Sequence, residues 1–118
     1  ELMKIAMIRA KMCEYLALSQ KVERPEVYFT VGLFSVLDAM MDMDLKDILE
    51  QVPLTEDVKK ALIYHEGDLG EMLTCVLAYE AANWDAVAYR NMQGEEISEC
   101  YLEAVEWADE AVGVLLKA

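Results

Sequence analysis

The sequence holds one histidine in 118 residues, His65. A hydrolase centre of the imidazole–carboxylate kind needs several such ligands to hold metal ions and activate water. These residues are therefore not expected to build one, and no catalytic, metal or cofactor site is assigned to them. Proline (two) and glycine (five) are also scarce. That is too little turn punctuation for a fold of many short strands. Basic residues are outnumbered, ten against 23 acidic, for a net charge of −13. Such a surface repels phosphate, so neither nucleic acid nor an anionic membrane surface is an expected partner. The strongest apolar run, Val31 to Met41, contains Asp38. It falls short of the roughly 18 residues of a membrane span. No signal peptide, GxGxxG turn, P-loop or basic stripe with interleaved aromatics is visible.

Cysteines are few and odd in number: Cys13, Cys75 and Cys100, each in an apolar helical pattern and none in CxxC spacing. Free cysteine behaves as a small hydrophobe, so reduced core thiols and a cytoplasmic protein are expected.

Hydrophobic residues make up 56% of the chain. That suffices for one core, and the expectation is a single helical domain over residues 1–118. Ala, Leu, Met, Glu and Lys dominate, and all favour helices. The periodicity predicts an all-α, compact bundle of about six to seven helices. The first covers Leu2 to Ser19, with Ile5, Ile8, Met12, Tyr15 and Leu16 inward. After Pro25 a second runs from Glu26 to Met41, apolar on most sides and so expected at the centre of the bundle. Gly32 would let a neighbour approach closely. Asp44 caps a short helix to Val52, and Thr55 caps another ending near Glu66. Asp68 to Glu71 has capping-box spacing at the head of a helix to Ala82. A short helix from Trp84 to Met92 precedes the last, Ile97 to Leu116, capped by Ser98. There Tyr101, Leu102, Val105, Ala108, Val112 and Leu115 are expected inward.

Four features invite a functional reading, each with a plain structural alternative. His65 lies near a helix C-terminus, where positive charge is favoured. It reads as a pH-responsive or partner-binding group, or as an ordinary last-turn histidine. Asp38, beside Ser35 in the most apolar helix, reads as a polar anchor or switch, or as a satisfied polar group at a helix edge. Glu99, Glu103, Glu106 and Glu110 share one face of the last helix. They form a docking stripe for a basic partner, or simply a solvated face. The eight methionines with Tyr79, Trp84, Tyr89 and Trp107 would line a ligand groove, or fill the core.

Several phrases in order along the chain resemble the HDOD domain, the HD-related output domain. They are Arg9 to Glu14, Tyr28 to Ala39, Ile48-Leu49 and Val52 to Thr55. Ala61-Leu62, Gly67 to Gly70, Tyr79-Glu80 and Asn83-Trp84 follow, then Tyr101, Glu103-Ala104 and Trp107-Ala108. The series is most similar to bacterial proteins that join an EAL domain to a C-terminal HDOD domain, and it covers the later part of that domain. The resemblance implies an HD-like helical fold without the HD metal ligands. It also implies signal transduction linked to cyclic di-GMP through an upstream EAL domain. The expected role is a non-catalytic, protein-interacting regulatory module, whose partners are other proteins or the EAL domain. Two other readings stand beside it. One is part of a cyclic-dinucleotide phosphodiesterase whose active site lies outside this chain; the other is a small-ligand sensor with a pocket near Trp84 and Trp107. The chain opens at Glu1 directly into a helical pattern, so the natural protein is expected to continue upstream with the EAL domain and the first HDOD helices. Apolar surface left by those helices predicts self-association into a homo-oligomer.

Overall fold

The computed structural model describes residues 2–36 and 54–117, together with Asp47 and Glu50; the side chains of Leu2 and residues 115–117 are outside that description. Among the described residues there are five α-helices, one single-turn 3-10 helix and no strand. They are α1 (Leu2–Ser19), α2 (Pro25–Phe34), α3 (Glu56–Tyr64), α4 (Gly67–Glu80), the 3-10 turn Trp84–Ala86 and α5 (Gly94–Lys117). The described residues are all-helical, as expected; among them the six to seven helices expected appear as five and the single turn. The Trp84–Met92 stretch closes only one turn before its backbone extends at Val87. The helix capped by Asp44 lies outside the described residues.

Among the described residues α1 carries a long buried stripe; the second helix was expected to run to Met41, and residues 37–41 lie outside those described. Ala6, Ala10, Met12, Cys13, Leu16 and Ala17 are buried along α1, and it packs against α2, α4 and α5. The small residues explain this packing, because alanine and cysteine let three neighbours approach at once. Gly32 completes the α1–α2 seam. A Cβ there would lie 2.8 Å from both the Ala10 Cα and the Cys13 Sγ, too close for any side chain. α2 buries Tyr28, Val31 and Gly32 but leaves Leu33 exposed. Lys11 stands at the three-helix junction. Its ammonium lies 4.8 Å from the Trp107 ring centre and 5.8 Å from that of Phe29, a cation–π arrangement.

All three cysteines are buried thiols. Burial pushes Cys13 far above the ordinary thiol range, and Cys75 and Cys100 each to about 11. They are inert core groups in this conformation. On α5 the inward residues are Ile97, Cys100, Ala104 and Ala108. Leu102, expected inside, is 62% exposed. The register explains the difference: 97, 100, 104 and 108 follow the 3.6-residue repeat on one stripe, and 102 falls off it. The helix also starts earlier than expected. Gln93 donates its backbone N–H to Glu96 Oε1 at 3.0 Å, as in a capping box. Ser98 is therefore inside the helix, where it accepts a hydrogen bond from the Tyr79 hydroxyl.

Candidate functional site

Two polar clusters hold α4 to the rest of the molecule. The first joins three helices. Arg9 on α1 reaches Glu80 at the end of α4 with two parallel bonds, Nε to Oε2 at 2.8 Å and Nη2 to Oε1 at 2.7 Å. Its Nη1 donates to Ser35 Oγ at 3.1 Å. Ser35, one of the two polar exceptions of the second helix, thus anchors its C-terminal end. Asp38, the other, lies outside the described residues.

The second cluster centres on Asp68, in the first turn of α4. Capping-box spacing predicted a backbone cap, but no side-chain cap bond forms there. Instead the carboxylate gathers four side-chain donors. Tyr28 and Tyr89 donate their hydroxyls to Oδ2 at 2.5 and 2.6 Å. Arg90 donates Nε to Oδ1 at 3.0 Å and Nη2 to Oδ2 at 2.9 Å. Glu71, the other half of the predicted box, accepts the Arg90 backbone N–H at 2.9 Å. Together a guanidinium and two phenols offer the carboxylate four bonds where a local cap would offer one or two.

Electrostatics at Asp68 follow from this geometry. Burial pushes its carboxyl upward, but the bonds from Arg90, Tyr28 and Tyr89 outweigh that, and the group is held below the usual carboxylate range. Burial, and then the bond to Asp68, push the Tyr28 phenol to about 12 and Tyr89 higher still. Three of the four bonds fall on Oδ2 and one on Oδ1. Asp68 is thus an ionised group that organises Tyr28, Tyr89 and Arg90 around it.

Tyr28 and Arg90 also form one wall of a groove of about 720 Å³. The α1–α2 loop contributes Lys21 and Arg24, and the start of α3 contributes Thr55 and Asp57. Its floor includes Val27, Leu54, Val58 and Leu69. Three cationic residues (Lys21, Arg24, Arg90) face four acidic ones (Glu23, Asp57, Glu66, Asp68). An apolar floor with both charge signs at its rim suits an amphiphilic ligand or peptide segment. Among the described residues no group of three or more His, Cys, Asp or Glu side chains is placed to share a metal ion.

The groove is not where the sequence pointed. Trp84 and Trp107 do not line it; each packs edge-on against another ring, Tyr79 at 5.3 Å and Phe29 at 6.5 Å. Tyr89 is fully buried. His65 is exposed and ends α3 in the left-handed conformation, φ 56°, with its N–H on Ala61 O. It is on a neighbouring turn but outside the groove lining. α3 stops at Tyr64 rather than Glu66, because His65 rather than Gly67 makes the turn. Gly70 follows from that corner: a Cβ there would lie 2.1 Å from the His65 carbonyl carbon. Thr55 caps α3 by backbone position, but its hydroxyl donates to Asp57 instead. Glu99, Glu103, Glu106 and Glu110 are all exposed on α5, and Glu99 and Glu103 line a second, smaller depression beside α1. Asp68, Tyr89 and Arg90 were missed as a unit. The available signal was a Tyr-Arg pair about 20 residues beyond an acidic residue at a helix start.

Two curated proteins are similar to the chain over nearly its whole length. "Uncharacterized protein YuxH" of Bacillus subtilis is 38% identical over 109 residues, 91% of this chain and 27% of that protein. "Cyclic di-GMP phosphodiesterase CdgJ" of Vibrio cholerae is 34% identical over 116 residues, 93% of this chain and 27% of that protein. The chain thus spans about a quarter of the length of these relatives. No family model and no solved structure matches it. No helix among the described residues is long and apolar enough to cross a membrane.

Proposed function

We propose that this chain is an HDOD-type regulatory module of a bacterial cyclic di-GMP signalling protein, acting by contact with other domains or proteins and without chemistry of its own. The observation that carries this reading is the similarity to CdgJ, which runs through 93% of the chain. The ordered HDOD-like phrases fall on working parts of the fold. Arg9 and Glu80 make the three-helix clamp, Gly32 the helix seam, and Gly67 to Gly70 the corner that carries Asp68. The hydrolytic centre of such a protein, an EAL domain in this reading, lies outside these residues, and the whole works in the cytoplasm.

The test is hydrolysis of cyclic di-GMP by the full-length protein with and without residues 1–118. Turnover that persists but loses its control, or its dependence on a partner, supports the reading. Hydrolysis by residues 1–118 alone overturns it, as does deletion with no effect on rate, regulation or partner binding.

A second reading, a small-ligand sensor, is favoured by the groove beside Asp68. A metabolite that raises the melting temperature of the wild-type protein, but not of an Arg90→Ala variant, would support it.

A further inference from the structure

The segment from Ala81 to Gln93 connects α4 to α5 and lies across the side of α4 that carries Cys75. Its backbone bonds are nearly all to itself or to the helix it leaves. Ala86 N–H donates to Asn83 O, Val87 N–H to Trp84 O, and Met92 N–H to Tyr89 O. It bends twice through the left-handed region, at Ala82 (φ 58°) and Arg90 (φ 53°). Of its side chains only Tyr89 is buried, and it is completely so. Val87 and Met92 are half-buried and rest against the core, and the remaining contacts that fasten the segment to the body are few. They are the Tyr89 ring, the Tyr89 and Arg90 bonds to Asp68, the Arg90 N–H on Glu71, and the Trp84 ring against Tyr79. The Ala88 backbone N–H faces the Cys75 thiol beneath.

We propose that Ala81–Gln93 is a lid over the Cys75 face of α4, latched by Asp68, which opens as a unit while the helical core stays closed. The glycine-free bends at Ala82 and Arg90 mark its two hinges. The latch stands in the groove wall, because Tyr28 and Arg90 serve both. A molecule that draws Arg90 or Tyr28 away from Asp68 thereby loosens the lid, which links groove occupancy to the surface around Trp84. Segments with few buried side chains and local backbone bonding are the ones that open below the global unfolding free energy. This inference is independent of the reading as an HDOD module.

Buried cysteines make the lid measurable. Cys75 is buried with its thiol facing the Ala88 backbone of the segment, whereas Cys13 sits in the α1–α2 seam against Gly32. In the full-length protein, alkylation by iodoacetamide is followed at each cysteine by peptide mass spectrometry. Asp68→Asn is expected to speed modification of Cys75 by at least roughly ten-fold relative to Cys13, the scale of one lost hydrogen bond to a charged group. Tyr89→Phe keeps the buried ring and loses one bond, so a several-fold rise is expected. Equal acceleration at both cysteines means global loosening and overturns the proposal, as does no change in Asp68→Asn. Wild-type hydrogen exchange decides the matter without any variant. Amides 84–92 that exchange no faster than those of α1 and α4 would overturn the lid.

Discussion

Arg9–Glu80 and Arg90–Asp68 are both bidentate arginine–carboxylate pairs at opposite ends of α4, yet they do different work. The first lies between three helices, with its side chains 14% and 28% exposed. Both partners stand on helices, so the pair closes an arrangement that packing already specifies. The second lies between a helix and an irregular segment, with its side chains 37% and 34% exposed. There the carboxylate and the Tyr89 ring, with Val87 and Met92 resting against the core, fix the segment. The same chemical pair is a clamp where both partners are rigid and a latch where one is not. Which it is depends on what remains when it breaks.

The largest break is expected at the corner that carries the latch. Gly70→Ala places a methyl 2.1 Å from the His65 backbone, with no flexible side chain to yield. Overpacking commonly costs about 1–3 kcal/mol; against backbone the upper end, about 3 kcal/mol, is expected in urea unfolding. Gly32→Ala meets Ala10 Cα and Cys13 Sγ at 2.8 Å and should cost about 2 kcal/mol. A Gly70→Ala effect no greater than that of Gly32→Ala would mean the corner has slack.

Breaking the clamp comes next. Glu80→Ala leaves Arg9 half-buried with only Ser35 for company. Exposed pairs contribute under about 1 kcal/mol and buried ones cost about 3–5 kcal/mol when broken, so about 2 kcal/mol is expected. The loss should appear as a lower midpoint of one cooperative transition. If Glu80→Ala instead exposes one segment alone, the clamp is a second latch and the contrast fails.

Acid separates the two pairs further. Asp68 is held below the ordinary carboxylate range, so its contribution is present at neutral pH and lost as pH falls through the depressed value. Wild type should therefore lose lid protection, measured by exchange at amides 84–92, in the acid range below about pH 4. Asp68→Asn should show low protection at all pH values and a flatter acid limb. Parallel limbs in the two proteins would exclude Asp68 as the titrating group.

How much of this was legible depends on the range of the interaction. Helix class, the Gly32 seam and the buried cysteines follow from local pattern, and the sequence showed them. Asp68 did not, because its spacing to Glu71 is that of a capping box, and only the fold brings Tyr28, 40 residues away, onto the same oxygen. Leu102 was misplaced for a related reason: apolar character marks a residue as able to be buried, while the stripe through Ile97, Cys100, Ala104 and Ala108 decides which ones are. The buried stripe of α1 is rich in small residues, which a search for large apolar ones passes over.

The smallest expected effect concerns the acidic stripe, which belongs to neither pair. Glu99, Glu103, Glu106 and Glu110 stand at spacings of four, three and four on the exposed side of α5. Neighbouring like charges at such spacings oppose the helix by about 0.2–0.5 kcal/mol each. Replacing all four with glutamine should therefore raise stability slightly, by up to about 1 kcal/mol at low salt. The gain should fade at high salt as screening removes the repulsion from wild type. Neither Cys75 alkylation nor lid exchange should change, because no stripe residue touches Asp68 or its donors. Retaining four mutually repelling charges is costly without a use for them. If the stripe docks a basic partner, the same variant should bind it more weakly, and its affinity should lose most of its salt dependence. A variant more stable and equally well bound would reduce the stripe to a solvated face.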